Sequence, residues 1–356
     1  MRVDSIAIAN PPQVASLDGT CTLTLDEIGG KAWGVNRMRR FGLPVPPAMV
    51  ITTFACRAYY ASGRTIQDAL WELIVAQMKV LEEGAGRRFG ATHRPLLVSV
   101  RSGAAHSMPG MMDTVLNLGI NPAVAAALAS ETKDARYAAD THRRFIEQYR
   151  KVVLGGHSDP VPVDPWDQLR AAVAAVFDSW YSPRARAYRS NRGLANDSGT
   201  AVTIQAMVFG NLDERSGTGV LFSRNPITGE APAWGEWLLR GQGEDVVAGD
   251  HTPMPLDALR DEMPNMHAEL MRAAEMLEAD ARDADRSLGT AAAEFMVFDR
   301  DKEKSNPAGA PEQLARLSAR TQAFGGRMIQ PDELSRLLDE ILQHPPETRI
   351  EVPQKW

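Results

Sequence analysis

The sequence LLVSVRSGAAHSMPGMMDTVLNLG, residues 96–119, is the stretch from which the fold and function of the chain can be worked out. Its first part, Leu96 to Val100, is a short apolar run followed at once by turn-forming residues, which predicts a buried strand. Arg101 ends that run, and the residues after it mix glycine, serine, proline and methionine. Such a segment is too irregular for a helix or a strand and too apolar for an ordinary solvent loop. Segments of this kind are usually functional.

Arg101 has the chemistry of a phosphate ligand. Its guanidinium group stays charged and presents five donors in a fixed fork, and the small residues after it allow backbone N–H groups to approach an anion. From the residues alone, a surface arginine paired with a carboxylate is an equally good interpretation. Both interpretations stay open at this point.

A second candidate anion site is the Gly-Gly-Lys sequence at residues 29–31. A helix is predicted from there to Phe41, and its N-terminus would offer free N–H groups and a partial positive charge beside the ammonium group of Lys31. The sequence is not a Walker A loop, which would need glycine in place of Leu25 and Ser or Thr in place of Ala32. The alternative interpretation of Lys31 is an exposed helical lysine.

The composition is that of an ordinary globular protein. The chain has 356 residues, of which 44% are hydrophobic and 24% charged, so it can bury a sizeable core and has room for two or three structural units. Its formal net charge is −6, whereas a nucleic-acid-binding protein would need a clustered basic face. We therefore expect no nucleic-acid partner.

The cysteines and the apolar runs favour a cytoplasmic location. Cys21 and Cys56 lie far apart and lack the spacing of metal ligands, which is typical of a protein in a reducing compartment. No apolar run approaches the ~18 residues of a membrane helix, and the first residues do not resemble a secretory signal. We expect a cytoplasmic protein with no membrane contact.

Several sequence motifs of this chain resemble those of one known protein family. VSVRSG followed by SMPGMMDTVLNLG is similar to the nucleotide-binding domain of the pyruvate phosphate dikinase family, and more loosely to phosphoenolpyruvate synthase. Further blocks with the same resemblance are GGKAWGVNRM (29–38), GTAVTIQAMVFGN (199–211), SGTGVLFSRNPITGE (216–230) and GEWLLRGQGEDVVAGDHTPMPL (235–256). The resemblance therefore extends over nearly the whole chain, but covers only about the first third of a dikinase.

The resemblance implies an α/β fold, with α and β elements mixed, built as an ATP-grasp-like two-lobed nucleotide-binding unit with a helical insertion. We expect a first lobe at residues 1–120, the helical insertion at 121–198, a second lobe at 199–325, and a C-terminal helix and tail at 326–356. Within the second lobe, the polar sequence GNLDERSGTG predicts a hairpin loop between two strands.

Roles for individual residues follow from the same resemblance. It implies that Lys31 and Arg101 converge on the nucleotide phosphates and are catalytic, although they lie far apart in the chain. It also implies that the strand at Gln205 borders the adenine pocket, with Met207 and Val208 beside the base. The remaining candidates are Arg224, Glu236, Gln242 and Arg320 for ATP, and Glu294 for Mg²⁺.

Simpler interpretations of these residues also remain. Met207 and Val208 would be ordinary sheet core, and Arg224 would form a surface ion pair. The acidic and amide residues around Gly243 would line a phosphate loop through backbone N–H groups or, less commonly, bind a metal directly. Four arginines follow Ser182 on a predicted helix, and because they are spread around it we expect a solvated face.

The resemblance leaves three possible functions. In the family, ATP passes its β-phosphoryl group to a histidine on a swivelling domain that this chain lacks, so the first is a phosphotransferase acting on a histidine of a partner chain. The second is a non-catalytic nucleotide-binding module, favoured because Ala292 and Ser318 replace an acidic residue and a glutamine of the family pattern. The third is an ATP-grasp phosphotransferase acting on a small molecule, as in rifampin phosphotransferase.

Overall fold

The computed structural model describes residues 11–106, 108, 111–226, 228–247, 251–284, 292–298 and 320–322, and for Glu244 and residues 280–284, 292–298 and 320–322 it describes only the backbone. The predictions for Ser318 and for residues 326–356 fall outside these residues. Within them, no helix is long and apolar enough to cross a lipid bilayer.

Helices and antiparallel sheets alternate along the chain. The strands are β1 (Val14–Ser16), β2 (Ala48–Ile51), β3 (Arg88–Phe89), β4 (Pro95–Leu96), β5 (Val98–Gly103), β6 (Thr114–Leu118), β7 (Ala201–Ala206), β8 (Ser216–Phe222), β9 (Trp234–Leu239), β10 (Met254–Pro255), β11 (Ala292–Phe298) and β12 (Arg320–Gln322). The helices are α1 (Leu25–Arg40), α2 (Thr53–Ala61), α3 (Asp68–Ala85), α4 (Pro122–Thr132), α5 (Ala135–Val152), α6 (Pro165–Ser179), α7 (Pro183–Asn191), α8 (Gly243–Val247), α9 (Leu256–Glu262) and α10 (Pro264–Ala284). This mixture of elements confirms the predicted fold class.

Sheet 1 is the centre of the first lobe. Its strand order is β1-β2-β7-β5-β6, and every neighbouring pair is antiparallel. One face packs against α2, α3 and α6 in a core that includes Val100, Ile204 and Phe177. The opposite face packs against α1. The two faces therefore differ: one is covered by an apolar core, and the other faces α1.

Sheet 2 is the centre of the second lobe, with strand order β10-β9-β8-β11-β12. Its core includes Trp237 of β9, Leu259 of α9 and Leu270 of α10, all almost fully buried. The same cluster of buried residues continues to Val35 of α1 and Val50 of β2. A continuous apolar core therefore joins the two lobes through α1.

The pairing of β7 differs from the predicted lobe boundary at residue 199. We expected the strand after Gly199 to open the second lobe and to pair with the next strand through a hairpin. Instead, β7 lies in the middle of sheet 1 between β2 and β5, while β8 belongs to sheet 2. The segment between β7 and β8 is thus a connection between the lobes. Turn-forming residues predict that a chain turns, but they do not specify which strands pair afterwards.

The predicted helical segment at 121–198 contains α4, α5, α6 and α7. Leu169, Val173 and Phe177 of α6 are fully buried in the core on one face of sheet 1, and α5 packs beside β6. These helices therefore complete the core of the first lobe.

Gly29 breaks α1 near its start and brings the helix against β5. Its φ of 73° and ψ of 160° lie in a region that is essentially open only to glycine. A Cβ atom at this position would lie 2.4 Å from the backbone C and O atoms of Gly103. The helix resumes directly after this break, and the N–H of Gly30 donates to the carbonyl of Ala104 at 3.0 Å. The close approach of two glycine backbones thus fixes α1 at the end of β5.

We predict that Gly29→Ala destabilises the chain by about 3 kcal/mol or more, because it combines an unfavourable backbone conformation with a backbone collision. The control is Gly42→Ala, which has a φ of 74° but no atom within 4 Å of the added Cβ, and it should cost only about 1–2 kcal/mol. Urea denaturation measures both. Equal losses in the two variants would show that the contact with Gly103 is unimportant.

Candidate functional site

A stripe of buried polar side chains runs across sheet 1 on the face toward α1. It consists of Ser99 and Arg101 on β5 and Thr203 and Gln205 on β7, each no more than 4% exposed. Since side chains alternate along a strand, these four lie opposite the apolar residues that form the core with α2, α3 and α6. Buried polar groups are costly unless they find partners, so such a stripe indicates a site or a specific network.

Gln205 holds Arg101 in place. Nη2 of Arg101 donates to Oε1 of Gln205 at 2.5 Å, and Nε2 of Gln205 donates to the carbonyl of Pro46 at 3.2 Å. The hydroxyl of Thr203 is fully buried and has no hydrogen-bond partner among the described residues. The stripe therefore contains an oriented cation and a polar atom that a ligand could satisfy.

Lys31 lies at the same end of β5 as Arg101. Its Nζ donates to the carbonyl oxygen of Ser102 at 2.8 Å, a position made possible by the contact of Gly29 with Gly103. The two cationic side chains are distant in sequence, yet the structure brings both to the last residues of one strand. The Lys31 ammonium lies at the end of β5, while the Arg101 guanidinium turns back to Gln205, the cross-strand partner of Ser99.

The chain leaves sheet 1 through Met207 and Val208, which are half-buried. The N–H of Met207 donates to the carbonyl of Leu97 at 2.9 Å, and its sulfur accepts the N–H of Asn117 at 3.0 Å. Within the described part of the chain, Val208 makes no main-chain hydrogen bond.

Gln242 of the second lobe contacts Asn117 on β6 of sheet 1. Its side chain is 1% exposed and accepts a hydrogen bond from Nδ2 of Asn117 at 3.3 Å. The backbone N–H of Gln242 donates to Asp245 Oδ2 at 2.8 Å, and Oδ1 of the same carboxylate accepts from Arg144 of α5 at 2.8 Å. Both oxygens of Asp245 are thus engaged by protein donors, which makes Asp245 a support for Gln242.

Arg224 follows the end of β8 and forms an ion pair. Its Nε and Nη2 each lie 2.8 Å from Oε1 of Glu278 on α10, and its Nη1 donates to the carbonyl of Gly229 at 3.2 Å. Arg224 therefore forms an ion pair, as considered from the sequence, but the pair is partly buried and does not lie on the surface.

The acidic candidates of the second lobe lie in one row of sheet 2. Val220 on β8 is directly opposite Glu236 on β9 and Glu294 on β11, and Glu294 is in turn opposite Arg320 on β12. Burial raises the pKa of Glu236. Among the described side chains, no group of three or more His, Cys, Asp or Glu residues could hold a metal ion. The backbone register thus places Glu294 next to Arg320, while β8 separates Glu294 from Glu236.

Sequence reasoning missed several of these residues. Thr203 could have been found, because it precedes Gln205 by two positions and so shares its face of the strand. Asn117 and Arg144 carried no local signal, since their partners Gln242 and Asp245 come from a different lobe. Arg189, expected on a solvated face, is fully buried.

Two lobes joined by one core, with cationic and polar side chains on the face of sheet 1 toward α1, define a nucleotide-binding module. The family model for the pyruvate phosphate dikinase AMP/ATP-binding domain matches residues 65–288. The chain belongs to this family, which confirms the resemblance carried by residues 96–119.

Full-length dikinases are similar to the chain over most of its length. It is 45% identical over 301 residues to pyruvate, phosphate dikinase 1, chloroplastic, from Oryza sativa, covering 72% of this chain and 32% of the relative. It is 42% identical over 300 residues to pyruvate, phosphate dikinase from Clostridium symbiosum, covering 72% and 34%. The chain thus spans about a third of the length of the curated relatives it matches.

We predict that Gln205 and Arg101 are energetically coupled, because removing either partner leaves a buried polar group without its contact. In a double-mutant cycle with Gln205→Met and Arg101→Met, the coupling should be about 1 kcal/mol or more. Urea unfolding of the four proteins measures it. If the two losses add to within about 0.5 kcal/mol, the pair does not act as a unit.

Proposed function

We propose that the chain is an ATP-binding phosphotransferase module in which Lys31 and Arg101 hold the nucleotide phosphates. The observation that carries the proposal is the position of the Lys31 ammonium group, 2.8 Å from the carbonyl of Ser102, directly after Arg101 on β5. An ammonium and a guanidinium at one strand end suit a polyphosphate, since each forms charge-assisted hydrogen bonds with phosphate oxygens. The hydroxyl of Thr203 on the same face offers one more polar contact.

The adenine base would lie against Met207 and Val208, the two residues that follow β7. Val208 offers main-chain groups that make no hydrogen bond with the described residues, and Met207 lies next to it with a half-buried side chain. Main-chain groups can bind the hydrogen-bonding edge of a base while apolar side chains cover its ring. Gln242, fixed by Asp245 and Asn117, closes this end of the pocket from the second lobe.

Mg²⁺ would be held in the second lobe. Glu294 is the proposed ligand, with Arg320 directly opposite it on β12 and Glu236 in the same row beyond β8. Carboxylate oxygens are the ligands that Mg²⁺ prefers, and a bound ion neutralises charge on the transferring phosphoryl group. Arg320 would bind a phosphate beside it, while Arg224 is engaged by Glu278.

The acceptor would be a histidine on a separate domain or chain. The chain spans about a third of the length of relatives that are named as pyruvate, phosphate dikinases, which supports an acceptor outside the matched region. The chain's own part would be to orient ATP and to stabilise the charge that develops on the phosphoryl group.

A non-catalytic nucleotide-binding module is the second candidate function. Ala292 occupies a position of β11 two residues before Glu294, opposite Phe222 and Gln322. An alanine there supplies no oxygen ligand for a metal, and loss of a ligand would weaken phosphoryl transfer more than nucleotide binding.

We predict that Lys31→Ala and Arg101→Ala each weaken ATP affinity by about tenfold to a hundredfold, because each removes charge-assisted hydrogen bonds to phosphate. Isothermal titration calorimetry measures the affinity. Lys79→Ala, an exposed lysine on α3, is the matched control and should bind ATP as the unaltered chain does. Unchanged affinity in both site variants would contradict the assignment.

Phosphoryl transfer is tested with ATP labelled at the β-phosphate, mixed with the chain and with a separately produced histidine domain of a dikinase. Label on the histidine domain, with release of AMP, is the expected result. Label on a small molecule would indicate the small-molecule phosphotransferase. Tight ATP binding without AMP release would favour the non-catalytic module and contradict the transfer step.

A further inference from the structure

A cavity lies beyond the end of β5, between α2, α7 and the segment that follows Gly103. Its volume is about 280 Å³, which is room for several water molecules at ~30 Å³ each or for a small ion. Its lining includes Arg57 and Thr53 of α2, Arg189 of α7, His106, and Asp26 of α1. None of these five belongs to the stripe on sheet 1.

Arg189 is an unusual residue for the lining of a cavity. It is fully buried, and its Nη1 and Nη2 atoms have no hydrogen-bond partner among the described residues. Two contacts hold this side chain in place. Its guanidinium stacks on the ring of Trp180, with 3.9 Å from Cζ to the ring centroid, and its Nε donates to Oδ1 of Asn196 at 3.0 Å. Trp180 is itself fixed by a hydrogen bond from Nε1 to the carbonyl of Asn196 at 2.9 Å.

This arrangement leaves the forked end of the guanidinium unused while its orientation is fixed. A buried donor without a partner costs about 1–3 kcal/mol, and more when the group is charged. Burial accordingly lowers the pKa of Arg189. A ligand that accepts two parallel hydrogen bonds would remove this cost, and carboxylate and phosphate groups have the matching geometry.

The other charged groups around the cavity favour an anion. Arg57 is exposed and its Nη1 donates to the carbonyl of Ser198 at 3.0 Å, which holds a second guanidinium at the cavity. Among the described lining residues, Asp26 is the only acidic one, and it is exposed. Two arginines therefore outweigh one solvated carboxylate, while His106 and Thr53 add further polar groups to the lining.

We propose that this cavity binds a phosphate-sized oxyanion between the guanidinium groups of Arg189 and Arg57. The site differs from the one at Lys31 and Arg101, because neither of these residues and none of the stripe on sheet 1 lines the cavity. The oxyanion is either free inorganic phosphate or the phosphate group of a larger molecule, and the two share the same recognition chemistry.

The test is a titration of the full chain with inorganic phosphate, and in parallel with glycerol 3-phosphate, followed by thermal unfolding. We expect a saturable rise in the unfolding temperature with at least one of the two. Tighter binding of phosphate would identify the free ion, and tighter binding of glycerol 3-phosphate would identify a larger phosphate ester. Lys31→Ala should leave this response within twofold of its original midpoint.

Three variants test whether the rise in unfolding temperature comes from an oxyanion bound in this cavity. Arg189→Lys keeps the charge but removes the fork, and should weaken the affinity at least tenfold; Arg57→Ala should weaken it about fivefold or more. Arg192→Ala removes an exposed arginine that stacks on Tyr188 at the end of α7, and should have no effect. Because Arg57 is exposed, its variant remains informative even if Arg189→Lys fails to fold. No saturable response, or an equal response with and without Arg57, would overturn the proposal.

Discussion

The contact between the backbones of Gly29 and Gly103 is the constraint on which the site depends. No other residue type could occupy position 29 without both an unfavourable backbone conformation and a collision at 2.4 Å. Because this contact places the broken start of α1 against the end of β5, Lys31 reaches the carbonyl of Ser102, the residue after Arg101. The same helix carries apolar residues into the core shared by the two lobes, so the position of Lys31 is tied to the joining of the lobes.

The buried polar stripe shows how the first lobe combines stability with a binding surface. One face of sheet 1 is covered by an apolar core, while the other carries Arg101, Thr203 and Gln205 under α1. Buried polar side chains stabilise a fold less than apolar ones would, and they are retained where function or specificity requires them. The interaction of Gln205 with Arg101 and with Pro46 orients the arginine before any ligand arrives, which reduces the reorganisation needed on binding.

The sequence allowed the fold class and the family to be predicted, because glycine spacing, strand length and the Met-Pro-Gly-Met-Met-Asp motif are local features. It did not allow the place of β7 in sheet 1 to be predicted, since strand partners are decided by tertiary packing. The network of Asn117, Gln242 and Asp245 was missed for the same reason. Arg189 was expected in solvent, yet it shares the buried face of α7 with Ala185, four residues earlier, and stacks on Trp180.

The central claim is that the ammonium group of Lys31 lies at the phosphate end of bound ATP. It is tested most directly with an ATP derivative that carries a lysine-reactive acyl group on its terminal phosphate, followed by mapping of the modified residues. The account predicts that Lys31 is labelled, that excess ATP prevents this labelling, and that Lys133 and Lys151 show no such protection. Absence of label at Lys31, or labelling that excess ATP does not reduce, would contradict it.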